Sequence, residues 1–327
     1  MILNQWYSIL ESSEVGTRPV GVTRMGERLV LWRSKGTIGC LKDRCIHRGA
    51  ALSAGKNVDS DLQCPFHGLR YDSTGKVTMI PANGKTKVAP NYFKTDSYHV
   101  HEEHGFVWIW WGAPREEYPP IPWFDDISEY FSFNTVKQRW TTHYSRAIEN
   151  QLDVAHLPFV HSNSIGKGNK TLVNGPYTTF DNGTITVYPD NEVDDGQTPK
   201  KPIEMSSPPG SFYIQFKFPN IWQNRIGDDY RVVVSFTPID SENTMMYLRS
   251  YWKTKGVPGL NWLTGIFSRL GSWYIADQDR RVVVTQTPKS VGVDIGEKLI
   301  PADLPIAIYR QESDRLIKKT VNGSQAM

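Results

Sequence analysis

Two short stretches of this 327-residue chain gather side chains that bind metals. In the first, Cys45-Ile-His47 is followed, after 16 intervening residues, by Cys64-Pro-Phe-His67. Each Cys/His pair fits on one loop tip, and two such loops can close on a metal centre. Two thiolates and two imidazoles suit either a structural zinc ion or a [2Fe–2S] cluster in which two Cys hold one iron and two His the other. A zinc finger pairs Cys with Cys and His with His. Here each pair mixes the two, as a cluster requires if each loop supplies one ligand to each iron. Gly49, Gly55, Pro65 and Gly68 predict tight loop turns that bring backbone N–H groups toward bridging sulfides.

The second stretch reads Glu149-Asn150-Gln-Leu-Asp153-Val-Ala-His156-Leu-Pro158-Phe-Val-His161. Residues 150, 153 and 156 recur every third position, which predicts Asn, Asp and His along one helix face. Pro158 should break that helix and let the second imidazole swing toward the first. Two His plus one carboxylate with open positions form the facial triad of non-haem iron(II) oxygenases. The missing carboxylate is sought in Ala276-Asp277-Gln278-Asp279. Asp277 and Asp279 lie ~200° apart on a helical wheel, so only one of them can face a metal.

The elements that must position these groups divide the chain in two. Residues 1–115 read as short strands joined by tight turns, including 29–32, a turn or bulge at 36–39, and Gly105-Phe-Val-Trp-Ile-Trp-Trp-Gly112. A proline-dense junction follows over 116–134. Residues 135–327 predict an α+β domain. Its helices run over 142–160, 272–286 and 303–319, and its strands over 184–188, 212–216, 231–236 and 245–249, with a polar, proline-bounded surface loop at 189–202. Lys and Arg number 37 against 34 Asp and Glu, a net charge of +3 with the signs interspersed, which gives no basic stripe for nucleic acid. Three cysteines are too few for a disulfide scaffold. No apolar run is long enough to span a bilayer and the N-terminus lacks a signal-peptide pattern, so the expectation is a cytoplasmic protein.

Taken together, these motifs resemble the Rieske non-haem iron oxygenases, the ring-hydroxylating oxygenase α-subunits. Trp6-Tyr7, the two Cys/His loops, Gly105-Phe-Val-Trp-Ile-Trp, the N-x-x-D-x-x-H-x4-H stretch and the final Pro301-Ala-Asp to Tyr309-Arg310 carry the resemblance over nearly the whole chain. The compact length looks most like the vanillate and dicamba demethylases and the saxitoxin-pathway hydroxylases. The resemblance implies an N-terminal all-β Rieske domain and a C-terminal domain whose antiparallel sheet is covered by helices. It further implies a [2Fe–2S] cluster on Cys45, His47, Cys64 and His67, and a mononuclear iron on His156, His161 and Asp279. The E-D-x-x-V-V-x-x-Q pattern of the family favours Asp279 over Asp277, with Gln278 in place of the usual Glu and Gln286 at the terminal Gln. The second loop cysteines of respiratory Rieske proteins are replaced by Ala50 and Phe66, and the serine that hydrogen-bonds their cluster by Leu69. This implies the lower part of the Rieske potential range. Leu69 also departs from the Trp common in oxygenases.

The implied activity is monooxygenation, by hydroxylation or oxidative O- or N-demethylation, of a mid-sized cyclic organic molecule. A Rieske electron carrier is the alternative, but a carrier has no use for His156, His161 and Asp279. No flavin or nicotinamide fingerprint is present, so electrons must come from a separate NAD(P)H-dependent reductase, directly or through a ferredoxin, and Lys42, Arg44, Arg48 and Arg70 could dock such a partner. Asn150 and Asp153 are expected in the active site. In the family the aspartate at position 153 meets a cluster histidine, matched here by His67, of the neighbouring chain in a head-to-tail homotrimer. The substrate cavity is expected between 150–161, the loop 162–175 and the strands carrying Trp222, Asn224 and Tyr251. Other features read as structural: His99, His101 and His104 as a half-solvated strand edge, 166–171 and 84–86 as ordinary loops, Cys40 as core, and His143 as unpartnered by any pattern.

Overall fold

The computed structural model describes residues 1–128, 130–253 and 260–324, in two compact units, one of residues 3–121 and one of residues 1–2 with 122–327. The first unit is all β. Strands Val20–Arg24, Glu27–Ser34 and Thr37–Lys42 form one antiparallel sheet, and Gln5–Glu11, Phe106–Trp111 and Val100–Glu103 a second. The four short strands Lys56–Val58, Asp61–Gln63, Arg70–Tyr71 and Val77–Met79 form a third. Residues 36–39 are not a bulge. The turn is Lys35-Gly36, both at positive φ as a two-residue hairpin requires. Gly39 lies within the next strand, where it pairs with Trp32, and a Cβ there would meet that indole at 2.7 Å.

In the second unit seven antiparallel strands follow the spatial order Ser132–Trp140, Thr244–Trp252, Tyr230–Pro238, Ile221–Arg225, Tyr213–Lys217, Thr184–Tyr188 and Tyr177–Asp181. Side chains alternate across each strand. Phe216, Trp222, Val234 and Leu248 share one face with the helices α1 (Tyr144–Leu152), α3 (Leu260–Val283) and α4 (Leu304–Ser324), and with them form the larger core. The opposite face carries Gln223, Arg231, Arg249 and Tyr251. Trp123, Asp126 and Phe131 pack there: Asp126 bonds Gln223 and Arg231, and the rings of Trp123 and Phe131 meet Tyr251.

Two helix expectations need correction. The stretch 142–160 holds two helices, α1 and a four-residue α2 (Leu157–Val160), and the break comes at Asp153, not at Pro158. Asp153 is extended (φ −73°, ψ 128°), and its Oδ1 accepts the Ala155 N–H at 2.6 Å, an Asx turn that competes with the helix. Pro158 then sits in the first turn of α2, where its missing N–H costs nothing. Helix α3 starts at Leu260, twelve residues before the apolar periodicity predicts it, because Trp262, Phe267 and Leu270 are exposed and obscure the buried stripe. The loop 189–202 is largely exposed, apart from Asn191–Glu192, which pairs with Leu172–Val173. No helix among the described residues is long and apolar enough to cross a membrane.

Candidate metal centres and the cavity beside them

In the first unit the two Cys/His loops have the same backbone wiring. Gly49 N–H donates to the Cys45 carbonyl and Cys45 N–H to that of Ala50; Gly68 N–H donates to Cys64 and Cys64 N–H to Leu69. Gly49 and Gly68 stand at φ +75° and +73°, a left-handed conformation that other residues rarely adopt. Both loops therefore curl back on a buried cysteine and lift a histidine into solvent. The His47 and His67 rings lie 4.5 Å apart, and Cys45 and Cys64 are free thiols. A pair of soft thiolates beneath a pair of imidazoles is the donor set a Rieske cluster needs, so these residues fit it.

Tyr71 is the residue the sequence reading missed. Its hydroxyl lies 3.1 Å from Cys45 Sγ and accepts the Ile46 N–H. Burial, together with Cys45, raises the phenol well above its ordinary pKa, so it stays a hydrogen-bond donor toward a thiolate. The loss of a serine donor at Leu69 is thus partly offset from seven residues beyond Cys64. The signal available was a tyrosine in the strand leaving the second loop. Of the basic residues near the loops, Lys42 pairs with Glu27 and Asp96 and Arg70 with Asp59, while Arg48 lies over the Phe66 ring. Tyr118 stacks on His99, and His101 and His104 pair with Glu103.

In the second unit, His156 caps the start of α2 and His161 its end, so one turn of helix turns both imidazoles toward Asp279 on α3. Asp279 Oδ1 lies 2.9 Å from His161 Nε2 and 3.4 Å from His156 Nε2, and one ligand atom from each of the three falls within 4.8 Å of the others. Asp277 points elsewhere, ion-paired with Arg280 and Arg281. Asn150 Nδ2 bonds Asp279 Oδ1 at 3.3 Å and lies 3.4 Å from His156 Nε2; Gln151 bonds the other carboxylate oxygen. Gln278, which sequence reasoning noted only as a departure from Glu, accepts from His161 Nδ1 and from the Ser164 hydroxyl, both at 2.9 Å. That contact keeps the proton on Nδ1 and leaves Nε2 free to bind a metal.

Burial disfavours charge at both ends of this cluster, and the partners outweigh it. Asp153 and Asp279 hold His156 up at about 9, and the two imidazoles hold Asp279 below the usual carboxylate range. Protons alone satisfy the group poorly. Nδ1 of His156 has no hydrogen-bond partner among the described residues, since Asp153 Oδ2 stands 3.7 Å away. Two imidazole nitrogens and a carboxylate oxygen converging in a buried site fit a divalent iron. Asn150, Asp153 and His156 thus come together as the spacing predicts, although not on one helix: Asp153 caps α1 and His156 begins α2.

A cavity of about 370 Å³ opens beside the triad. Its roof is a stripe of α3, namely Phe267, Ser268, Gly271, Ser272, Ile275, Ala276 and Asp279, spaced by three and four residues and largely small. Its floor is the helix-facing side of the sheet, with Trp222 and Asn224, and Ile165 comes from the loop 162–175. Tyr251 is not part of it, because that residue lies on the sheet's opposite face. A second, polar cavity shares Asn150, Asp153, His156 and Asp279 and is lined by a network in which the buried Arg146, Glu149 and Arg310 pair with the exposed Glu297.

Two family models cover most of the chain. Residues 5–92 match the Rieske [2Fe-2S] domain, and residues 140–319, more than half of the chain, match the vanillate O-demethylase oxygenase C-terminal domain. The chain belongs to the Rieske oxygenase family of vanillate O-demethylase. Among curated relatives of this Rieske oxygenase chain, the chloroplastic protein TIC 55 of Arabidopsis thaliana is 32% identical over 162 residues, 48% of this chain and 30% of that one. Methylxanthine N3-demethylase NdmB of Pseudomonas putida is 27% identical over 95% of this chain and 86% of its own length. The chain spans a quarter to about half the length of the first several curated relatives it matches. The solved structure of Pseudomonas putida CBB5 NdmA superposes with a TM-score of 0.80 over 99% of this chain and 93% of that one, at 22% identity, which shows the shared fold. The cofactors of the family are a Rieske [2Fe–2S] cluster and a mononuclear iron.

Proposed function

We propose that the chain is the oxygenase component of a multi-component monooxygenase that hydroxylates or oxidatively demethylates a mid-sized cyclic organic substrate. The observation that carries this reading is the convergence of His156, His161 and Asp279 at the wall of a 370 Å³ cavity, for which an electron carrier has no use. Cys45 and Cys64 would hold one iron of the cluster and His47 and His67 the other; His156, His161 and Asp279 would hold the mononuclear iron. When bound, that iron supplies the position at which O2 is reduced by electrons that pass through the cluster. One oxygen atom ends in a new C–O bond and the other in water, with two electrons and two protons consumed.

The chain's own residues prepare this chemistry. Gln278 fixes the His161 tautomer, while Gln151 and Asn150 hold the Asp279 carboxylate. The small residues of α3 leave room for a ring, and Ile214, Val232, Val234 and Leu248 give it apolar contacts. Asp153 borders the polar cavity on the other side of the triad. This supports a role for Asp153 in receiving His67 of a neighbouring chain, within a homotrimer, and passing the electron to the site. An NAD(P)H-dependent reductase, directly or through a ferredoxin, supplies the electrons, and the cytoplasm suits that supply. The test is turnover with a reductase and isotopically labelled O2 against methoxyarenes and N-methyl heterocycles. Labelled hydroxylated product, or demethylated product with formaldehyde, is expected. Reductase-driven cluster reduction with no substrate-dependent product from any member would contradict the proposal.

A further inference from the structure

The cavity wall facing the triad carries two polar groups that nothing in the fold explains. Trp222 and Asn224 lie two residues apart on strand Ile221–Arg225 and so project from the same face, into the cavity. Trp222 is 4% exposed, and its indole Nε1 has no partner among the described residues; the buried Oδ1 of Asn224 has none either. Buried donors and acceptors are nearly always paired, so an orphaned donor beside an orphaned acceptor in a cavity implies that a guest pairs them. The charges around them point the same way. Among the described residues that line the cavity there is no Lys, Arg or Glu, and the only ionisable groups there outside the triad are Asp153 and Tyr230. A carboxylate or sulfonate entering it would shed its hydration, find no Lys or Arg among the described lining residues to pair with away from the triad, and approach the Asp153 carboxylate, which is unfavourable.

We infer that Trp222 and Asn224 are the specificity-determining pair of this site. Its substrate is an uncharged cyclic molecule with a hydrogen-bond acceptor next to a donor, as on the edge of a lactam or carboxamide. The indole N–H donates to the guest's carbonyl, the Asn224 carboxamide meets its N–H, and Ile214, Val232, Val234 and Leu248 take the apolar ring. The inference deepens the proposed oxygenase function and rests on it for the word substrate, but its test needs no turnover.

Equilibrium dialysis of the metal-loaded protein, kept anaerobic without reductase at neutral pH, compares para-methoxybenzamide, para-methoxybenzoate and para-methoxytoluene, which share a ring and a methoxy group. The amide is expected to bind about tenfold more tightly than the toluene, and more tightly still than the benzoate. Trp222→Phe and Asn224→Leu should each reduce the preference for amide over toluene by roughly five- to tenfold. Ile226→Arg, which places a cation at the half-exposed rim, should raise benzoate binding. Benzoate bound at least as well as the amide, or an amide preference that survives Asn224→Leu, would overturn the inference. An amide that binds with this pattern, together with no oxidised product from any methoxyarene or N-methyl heterocycle tested, would defeat the oxygenase proposal instead and leave the recognition pair standing.

Discussion

At the loop tips of the first unit, His47 and His67 are exposed above cysteines that are 2% exposed. In the second unit His161 is 1% and Asp279 3% exposed, behind the walls of a cavity. Under the proposed function the difference follows from what each centre would exchange. Electrons cross a surface, so the outer iron of a cluster can be presented on two turns whose geometry is set by local backbone bonds alone. A centre that meets O2 and an organic substrate must exclude water, so its ligands come from elements more than a hundred residues apart and depend on the packing of α1, α2 and α3. The first centre is a local motif and the second a product of tertiary structure.

The largest expected effect breaks the first centre alone. Cys45→Ser or His67→Ala should abolish the visible absorption of the cluster while the catalytic unit keeps its thermal transition; a retained Rieske spectrum would refute the ligand set. Next is the group proposed to connect the two centres. Asp153→Asn should preserve cluster and iron content yet reduce substrate-dependent turnover by ~100-fold, because the second oxygen of the carboxylate, not the Asx turn, is what the neighbouring histidine needs. Stopped-flow reoxidation of the cluster checks this, and unimpaired reoxidation would show that Asp153 serves only the chain turn.

A smaller effect sharpens the comparison within the first unit. Tyr71→Phe removes a hydroxyl donor to Cys45, and with it a preference for the more negative, reduced cluster. The midpoint potential should fall by roughly 40 mV, the equivalent of one hydrogen bond, in protein-film voltammetry. The smallest effect concerns the helix that carries Asn150. His143 caps α1, its Nδ1 facing the Ser145 N–H and hydroxyl, and burial lowers its pKa to about 4. The fold therefore requires the neutral ring, and the unfolded chain, titrating near 6.5, takes up the proton first. Stability from this group is complete above pH ~6.5 and is lost as pH falls toward 4. His143→Asn keeps a capping acceptor that does not titrate, so its melting temperature should fall less than that of the wild type between neutral pH and pH ~5.

How much of this was legible in the chain depends on the same contrast. Cys45, His47, Cys64 and His67 could be read from spacing because local loops hold them, and the glycines that shape those loops stand beside them. His156 and His161 were legible as types, but their geometry was not. Three-residue spacing suggested one helix face, whereas the Asp153 side chain competes for a backbone N–H and ends α1 there. Asp279 could be separated from Asp277 only by family resemblance. In the structure the arginines at 280 and 281 hold Asp277, and the α3 stripe that lines the cavity runs on to Asp279. Tyr71 and Gln278 escaped because a hydrogen bond to a ligand leaves no spacing signature. Tyr251 was assigned to the wrong face of its strand, a parity that only the sheet register fixes.

The central claim is that one chain houses two centres, the second held by His156, His161 and Asp279. The most direct test is the iron and acid-labile sulfide content of anaerobically prepared protein, measured side by side for the wild type, Asp279→Ala and Asp277→Ala. The account predicts about three irons and two sulfides per wild-type chain, about two irons and two sulfides for Asp279→Ala, and wild-type values for Asp277→Ala. About two irons in the wild type, or loss of the third iron in Asp277→Ala but not in Asp279→Ala, would contradict it.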